Sequence, residues 1–128
     1  MAQDGVDSGV LNPEGIDPAT RTSWIGAFIL CPPIILMHHL TRLVNVDFVG
    51  MKGVKQLPVL YIHGKDDACL NHEPILKYVK SVYQNVEAYV LDSSGHTPFY
   101  EKPEEVKSKI LGFMSKLEAA AIEKFASV

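Results

Sequence analysis

LPVLYIHGKDD, residues 57 to 67, is the stretch that decides the fold of this 128-residue chain. It opens with a short apolar run that contains β-branched and aromatic residues, and a glycine and two aspartates follow. A run of this length and composition predicts a strand over 57–63 that is covered on both faces, as in a parallel sheet. Polar side chains that follow such a strand lie at the carboxyl edge of the sheet, where α/β folds bind ligands. Asp66 and Asp67 therefore become candidates for a functional site.

Strand-like and helix-like segments alternate along the rest of the chain. Short apolar runs favour strands, and apolar residues at intervals of three and four favour helices. On these criteria we expect strands near 25–31, 57–63 and 87–91, and helices over 34–44, 73–84 and from Pro103 onward. This alternation requires βαβ crossovers, so the predicted fold is α/β, with about three parallel strands, flanking helices and a long C-terminal helix. On that last helix we expect one apolar face towards the core, made of Val106, Ile110, Met114, Leu117 and Ala121.

The chain divides into an N-terminal segment and one domain. Residues 1–23 are rich in glycine, proline and aspartate and show no apolar period, so they are expected to be irregular. This segment lacks the apolar centre of a signal peptide and the amphipathic character of a transit sequence. Residues 24–128 are enough for one hydrophobic core and too few for two ordinary domains.

The most hydrophobic stretch is WIGAFILCPPIILM, residues 24–37. A membrane-spanning helix needs about 20 apolar residues, whereas this run is shorter and is interrupted by Pro32 and Pro33. A buried strand over 25–31 is therefore favoured, and membrane contact through 24–37 is the less favoured alternative.

Composition restricts the binding partners. The formal net charge is −3 and no clustered basic face is visible, so nucleic acid is not expected as a partner. The two cysteines, Cys31 and Cys69, show no CxxC spacing and are expected to be buried free thiols. Free thiols favour a reducing compartment, either the cytosol or an organelle interior. Four histidines have no metal-ligand spacing and are expected to be structural or surface residues: His38, His39, His63 and His72. No metal or other cofactor is expected.

A second polar motif, LDSSGHTP at residues 91–98, follows the third expected strand. Its histidine, His96, would lie at the same sheet edge as Asp67. A histidine that removes the proton of a serine hydroxyl needs a carboxylate to fix its tautomer and stabilise its positive charge, and adjacent strand ends bring such groups within reach. Simpler roles remain open. Asp66 or Asp67 would serve as a helix cap, and Gly95-His96 as a turn with a solvent-facing imidazole.

Together the two motifs resemble the C-terminal part of the α/β-hydrolase fold. In that family the strand before the catalytic acid ends in Gly-x-x-Asp, matched here by Gly64 to Asp67, and the next strand ends in Gly-His, matched by Gly95-His96. An apolar segment, an acidic-proline step and a closing helix follow, as in TPFYEKPEEV here. The resemblance implies a partial α/β-hydrolase domain, with Asp67 as the catalytic acid and His96 as the catalytic base of a Ser-His-Asp type hydrolase.

The nucleophile of that family lies in a Gly-x-Ser-x-Gly turn between a strand and a helix, and the 128 residues contain no such motif. Gly5-Val6-Asp7-Ser8-Gly9 has the form that accompanies an aspartate nucleophile, which makes Asp7 a minor candidate. Too few residues precede this motif for the required strand, and prolines follow it where the helix should begin.

Two functions fit this incomplete pattern. In the first, the chain carries the acid and the histidine, is inactive alone, and acts with a partner chain that supplies the nucleophile. In the second, it is a catalytically inactive, hydrolase-derived accessory subunit of a larger multiprotein assembly, organellar or membrane-associated. Both predict a protein partner, because the expected strand near 25–31 would otherwise leave a bare apolar edge.

Overall fold

The structure is a computed structural model that describes residues 2–32, 34–35, 37–38 and 53–126. Its elements in chain order are α1 (Ala2–Asp7), a 3-10 turn (Pro13–Gly15), α2 (Pro18–Leu30), a second 3-10 turn (Val54–Gln56), β1 (Pro58–Gly64), α3 (His72–Val82), β2 (Asn85–Leu91), α4 (Pro98–Glu101) and α5 (Pro103–Ala126). The α/β class predicted from the sequence is confirmed.

The sheet positions the two sequence motifs side by side. β1 and β2 pair in parallel, with Pro58 opposite Asn85 at one end and Gly64 opposite Leu91 at the other. Helix α3 makes the crossover between them, as parallel pairing requires. Two of the three expected strands are confirmed, and both end at the same edge, so the loops that follow them meet there.

The prediction of a strand over 25–31 is wrong, because this segment lies mostly within helix α2. The helix begins upstream, where the Asp17 side chain accepts a hydrogen bond of 2.9 Å from the backbone N–H of Thr20 and Pro18 occupies the first turn. A short apolar run alone does not distinguish a buried strand from a helix, and here the capping signal determines the outcome.

The expectation of an irregular N-terminal segment over 1–23 is also wrong. This segment contains α1 and the first turns of α2. An ion pair joins the two helices, in which both Asp7 carboxylate oxygens accept from Arg21 Nη2, at 2.7 and 2.6 Å. A small core forms around these helices from Val6, Val10 and Ile16, with Trp24, Ile25 and Tyr100 packed against it. Because Tyr100 belongs to α4, the N-terminal segment is packed against the region that follows β2.

Helix α5 meets the sheet with a different face from the one expected. Val106 is buried as predicted, but Ile110 and Met114 are nearly half exposed. Lys116 Nζ instead lies 2.7 Å from a carboxylate oxygen of Glu87 on β2. The long apolar stripe predicted from the sequence is therefore largely left on the surface.

Most of the expected helix over 34–44 lies outside the described residues. Within the described part of the chain, no helix combines the length and the apolar character that a membrane crossing requires.

Candidate active site

The site lies at the carboxyl edge of the sheet, where the loop after β1 is hydrogen-bonded to the loop after β2. The backbone N–H of Lys65 donates to the Leu91 carbonyl at 2.9 Å, and that of Asp66 donates to the Ser94 carbonyl at 3.0 Å. These two bonds hold the loop that carries the acid against the loop that carries the histidine.

Asp67 and His96 are in direct contact. His96 Nδ1 lies 2.8 Å from Asp67 Oδ2. The Asp67 side chain is 2% exposed and the His96 side chain 43% exposed. A buried carboxylate therefore holds one nitrogen of an imidazole that remains open to solvent.

The Asp67 carboxylate accepts three hydrogen bonds and lies close to a second histidine. Its Oδ1 accepts from the backbone N–H groups of Cys69 and Leu70, at 2.7 and 3.0 Å. Its Oδ2 faces His63 Nε2 at 3.0 Å as well as His96. Burial raises the pKa of Asp67, but the hydrogen bonds from His96 and from the two amides outweigh it and hold the pKa below the ordinary value.

The charge of Asp67 fixes the tautomer of His96. An ionised carboxylate only accepts hydrogen bonds, so His96 Nδ1 must carry the hydrogen that points at it. In the neutral imidazole the other nitrogen, Nε2, then has a free lone pair. This is the arrangement that a general base requires.

His63, for which the sequence predicted only a structural or surface role, is a second histidine beside the same carboxylate. Its Nε2 contacts two acceptors, Asp67 Oδ2 at 3.0 Å and the Leu70 carbonyl at 3.2 Å, so this nitrogen is a donor. Its ring stacks on Tyr61 at a centroid distance of 5.7 Å, which fixes its orientation. His63 lies at the carboxyl end of β1, directly before Gly64, and that position was the sequence signal that could have placed it in the site.

Glu101 holds the His96 loop in place and was also missed. One of its carboxylate oxygens accepts from the backbone N–H of Gly95 at 2.6 Å and from the hydroxyl of Ser94 at 3.3 Å. The other accepts from the backbone N–H of Leu11 at 2.5 Å. Glu101 belongs to the acidic-proline step of the sequence, so its position after the Gly-His pair was the only signal available.

Asp7, the minor candidate nucleophile, lies at the end of α1 rather than in a turn between a strand and a helix. Its carboxylate binds Arg21. The structure thus brings Asp67 and His96 together and places Asp7 in a separate ion pair.

The expectation that both cysteines are buried is wrong. Cys31 is half-buried, and Cys69 is exposed. The Cys69 thiol lies 3.4 Å from the Ser8 carbonyl oxygen and belongs to the site itself. One ligand atom each of Asp67, Cys69 and His96 fall within 4.8 Å of one another.

The solved structures that the chain resembles include proteins described as an esterase and a lipase. The chain superposes on a structure described as a "putative aryl esterase" from Burkholderia cenocepacia with a TM-score of 0.75 and 21% identity, over 92% of this chain and 42% of the other. It superposes on a "putative lipase" from Acinetobacter baumannii with a TM-score of 0.74 and 23% identity, over 93% of this chain and 42% of the other. The chain therefore has part of the α/β-hydrolase fold, and the order of its motifs resembles the C-terminal portion.

Two sequence relatives carry the same kind of name. A Mycoplasma pneumoniae protein named "Putative esterase/lipase 1" is 31% identical over 61 residues, which is 47% of this chain and 23% of that protein. Its namesake in Mycoplasma genitalium is 26% identical over 86 residues, 66% of this chain and 30% of that protein. No protein-family model matches the sequence. The chain thus has hydrolase ancestry of the esterase/lipase type, and it spans less than a third of the length of these curated relatives.

Proposed function

We propose that this chain supplies the acid and the general base of an ester-cleaving site, and that the nucleophile comes from a partner chain. The observation that carries this proposal is the contact of 2.8 Å between His96 Nδ1 and the buried Asp67 carboxylate. A histidine that serves only as a surface turn residue needs no buried carboxylate at its Nδ1.

The chemistry follows from the tautomer of His96. As a serine oxygen attacks the ester carbonyl, its proton passes to His96 Nε2, while Nδ1–H keeps its hydrogen bond to Asp67. Asp67 remains ionised and stabilises the imidazolium. The imidazolium then gives the proton to the departing alkoxide, which leaves as the alcohol while the acyl group stays on the serine oxygen. Water, deprotonated by the same Nε2, releases the acid in the second half of the reaction.

The nucleophile is placed outside these 128 residues because they contain no Gly-x-Ser-x-Gly turn, and a partner chain is the proposed source. We therefore expect the isolated chain neither to hydrolyse a simple ester nor to react with a serine-directed phosphonate. Carboxylic esters are the proposed substrate class because the similar proteins are described as esterases and lipases.

The test uses the chain purified with its partners from its source, with p-nitrophenyl acetate as substrate and a fluorescent phosphonate as label. We expect the label on a serine outside these 128 residues. His96→Ala should lower turnover about 1,000-fold, because general-base catalysis contributes about 100- to 10,000-fold. Asp66→Asn is the matched control, since this neighbouring carboxylate is exposed, and it should leave turnover unchanged. Equal turnover in His96→Ala and wild type would refute the proposal.

The second candidate is an inactive accessory subunit of a multiprotein assembly. It is favoured by exposed apolar side chains on two helices, Leu30 on α2 and Phe125 on α5, which are 83% and 84% exposed. Exposed apolar residues of this size suit burial against another protein. If the purified assembly shows no esterase activity and no label, and Leu30→Asp or Phe125→Asp dissociates it, this second function replaces the first.

A further inference from the structure

Cys69 adds a soft ligand to the acid–base pair. One ligand atom each of Asp67, Cys69 and His96 lie within 4.8 Å of one another, and these atoms are an oxygen, a sulfur and a nitrogen. The backbone already holds two of these residues in a fixed relation, because Asp67 Oδ1 accepts from the N–H of Cys69 at 2.7 Å. Nothing in the proposed ester chemistry uses the thiol.

We propose that Asp67, Cys69 and His96 form a binding site for Zn²⁺ that shares its residues with the acid–base pair. Zinc accepts thiolate, imidazole and carboxylate ligands together, whereas Mg²⁺ and Ca²⁺ require oxygen ligands. Three protein ligands leave one position of a tetrahedral ion for water or for an added ligand. The site is accessible, since Cys69 is exposed and the His96 side chain is 43% exposed.

Zinc binding requires the three ligand atoms, which lie within 4.8 Å of one another, to reach tetrahedral spacing, a change of at most about 1.5 Å for any pair. With Zn–S near 2.3 Å and Zn–N and Zn–O near 2.0–2.2 Å, ligand atoms around a tetrahedral ion lie roughly 3.3–3.8 Å apart. Asp67 Oδ2 and His96 Nδ1 are 2.8 Å apart, so they must separate by about half an ångström. The ion then takes the place of the proton between them, and the neutral imidazole carries its hydrogen on Nε2 instead. The thiol of Cys69 gives up its contact with the Ser8 carbonyl and releases its proton to solvent.

The consequence is competition between the metal and the hydrogen bond that orients His96. Bound Zn²⁺ occupies Nδ1 and removes the hydrogen bond that fixes the tautomer of His96. His96 then no longer acts as a general base. This consequence rests on the proposed function, whereas the binding itself does not.

Metal binding is tested on the full chain without any enzyme assay. Titration with Co²⁺ should produce the near-ultraviolet charge-transfer band of a cobalt–thiolate bond, and Zn²⁺ added afterwards should remove it. Calorimetry with Zn²⁺ should show one site, and Mg²⁺ should show none. Cys69→Ser should abolish the cobalt band and weaken Zn²⁺ binding more than about 100-fold, since loss of outer-shell partners alone costs about 10- to 100-fold. Cys31→Ser is the matched control and should bind as wild type does.

His96→Gln and Cys69→Ser together distinguish this site from a lone reactive thiol. The proposal requires both variants to lose Zn²⁺ affinity. A cobalt–thiolate band that persists in Cys69→Ser, or Zn²⁺ affinity that is unchanged in His96→Gln, overturns it. In the purified assembly, Zn²⁺ that binds without lowering ester turnover would contradict the proposed function and leave the metal site standing.

Discussion

A methyl group added to the α-carbon of Gly64 would lie 2.0 Å from the carbonyl oxygen of Gly95. The two glycines precede the acid motif and the histidine, respectively, and they mark the point where the two loops touch. The same added group would lie 2.4 Å from the Ser94 carbonyl oxygen, so two backbone oxygens leave no space for a side chain at position 64. The contact between Asp67 and His96 depends on this close approach of two backbones.

Gly64→Ala should therefore destabilise the chain and separate the acid from the base. Overpacking against backbone that cannot rotate away costs about 3 kcal/mol, and the measurement is the midpoint of urea unfolding. Gly112→Ala is the matched control, because nothing lies within 4 Å of an added methyl group there and alanine favours the helix by about 1 kcal/mol. If the two variants unfold at the same urea concentration, the loop contact is not as described.

Asp67→Asn should be much more damaging than Asp66→Asn. The Asp67 carboxylate accepts hydrogen bonds from three donors, and an asparagine in its place would present its own NH₂ group to at least one of them. A buried donor left unpaired costs about 1–3 kcal/mol, which urea unfolding measures. The downfield NMR signal of the His96 Nδ1–H should also disappear in Asp67→Asn and persist in Asp66→Asn. Persistence of that signal in Asp67→Asn would show that another group holds the proton.

Glu101→Gln should loosen the loop that carries His96 while the sheet remains intact. Glutamine keeps one acceptor oxygen, whereas Glu101 uses both of its oxygens, on Gly95 and on Leu11. We expect the Gly95 amide to exchange with solvent hydrogen roughly tenfold faster, corresponding to about 1.4 kcal/mol of lost local stability. Glu118→Gln, on an exposed part of α5, should leave that exchange rate unchanged. An unaltered Gly95 rate in Glu101→Gln would mean that Glu101 does not restrain the loop.

The sheet edge could be predicted from the sequence because its signals are local. β1 and β2 are short apolar runs, and polar residues after parallel strands meet at one edge whatever the rest of the fold does. That is why Asp67 and His96 could be placed together in advance. Their catalytic role stays a prediction that the experiments above test.

The parts that could not be predicted depend on contacts between distant segments. Residues 25–31 are apolar on every side, so no period separates strand from helix, and the Asp17-Pro18 start signal lies outside the run. Cys69 and Glu101 gain their importance from neighbours that only the folded chain supplies. On α5, Phe113 is half-buried whereas Ile110 and Met114 are exposed, and Lys116 pairs with Glu87 on the sheet.

That pairing predicts a pH-dependent attachment of α5 to the sheet. Lys116 Nζ donates to both Glu87 carboxylate oxygens, at 2.8 and 2.7 Å, and this hydrogen bonding, with a further bond from Tyr89, lowers the pKa of Glu87. A carboxyl whose pKa is lower in the folded chain stabilises it above its unfolded pKa and loses that contribution as the pH falls through the folded value.

Lys116→Gln should therefore raise the pKa of Glu87 towards its ordinary value, which a carbon-13 NMR titration of the side-chain carboxyl measures. The stability difference between wild type and variant should be fully present at neutral pH. It should shrink as the pH falls from the unfolded pKa, about 4.3, towards the lower folded pKa, and be lost once the carboxyl is protonated in both states. Because Lys116 is well exposed, added salt should reduce the difference too. Lys107→Gln removes a lysine from the same helix that contacts Glu104 instead, at 3.7 Å, and should leave the Glu87 titration unchanged. A Glu87 titration that is identical in Lys116→Gln and wild type would show that Lys116 does not lower the pKa of Glu87.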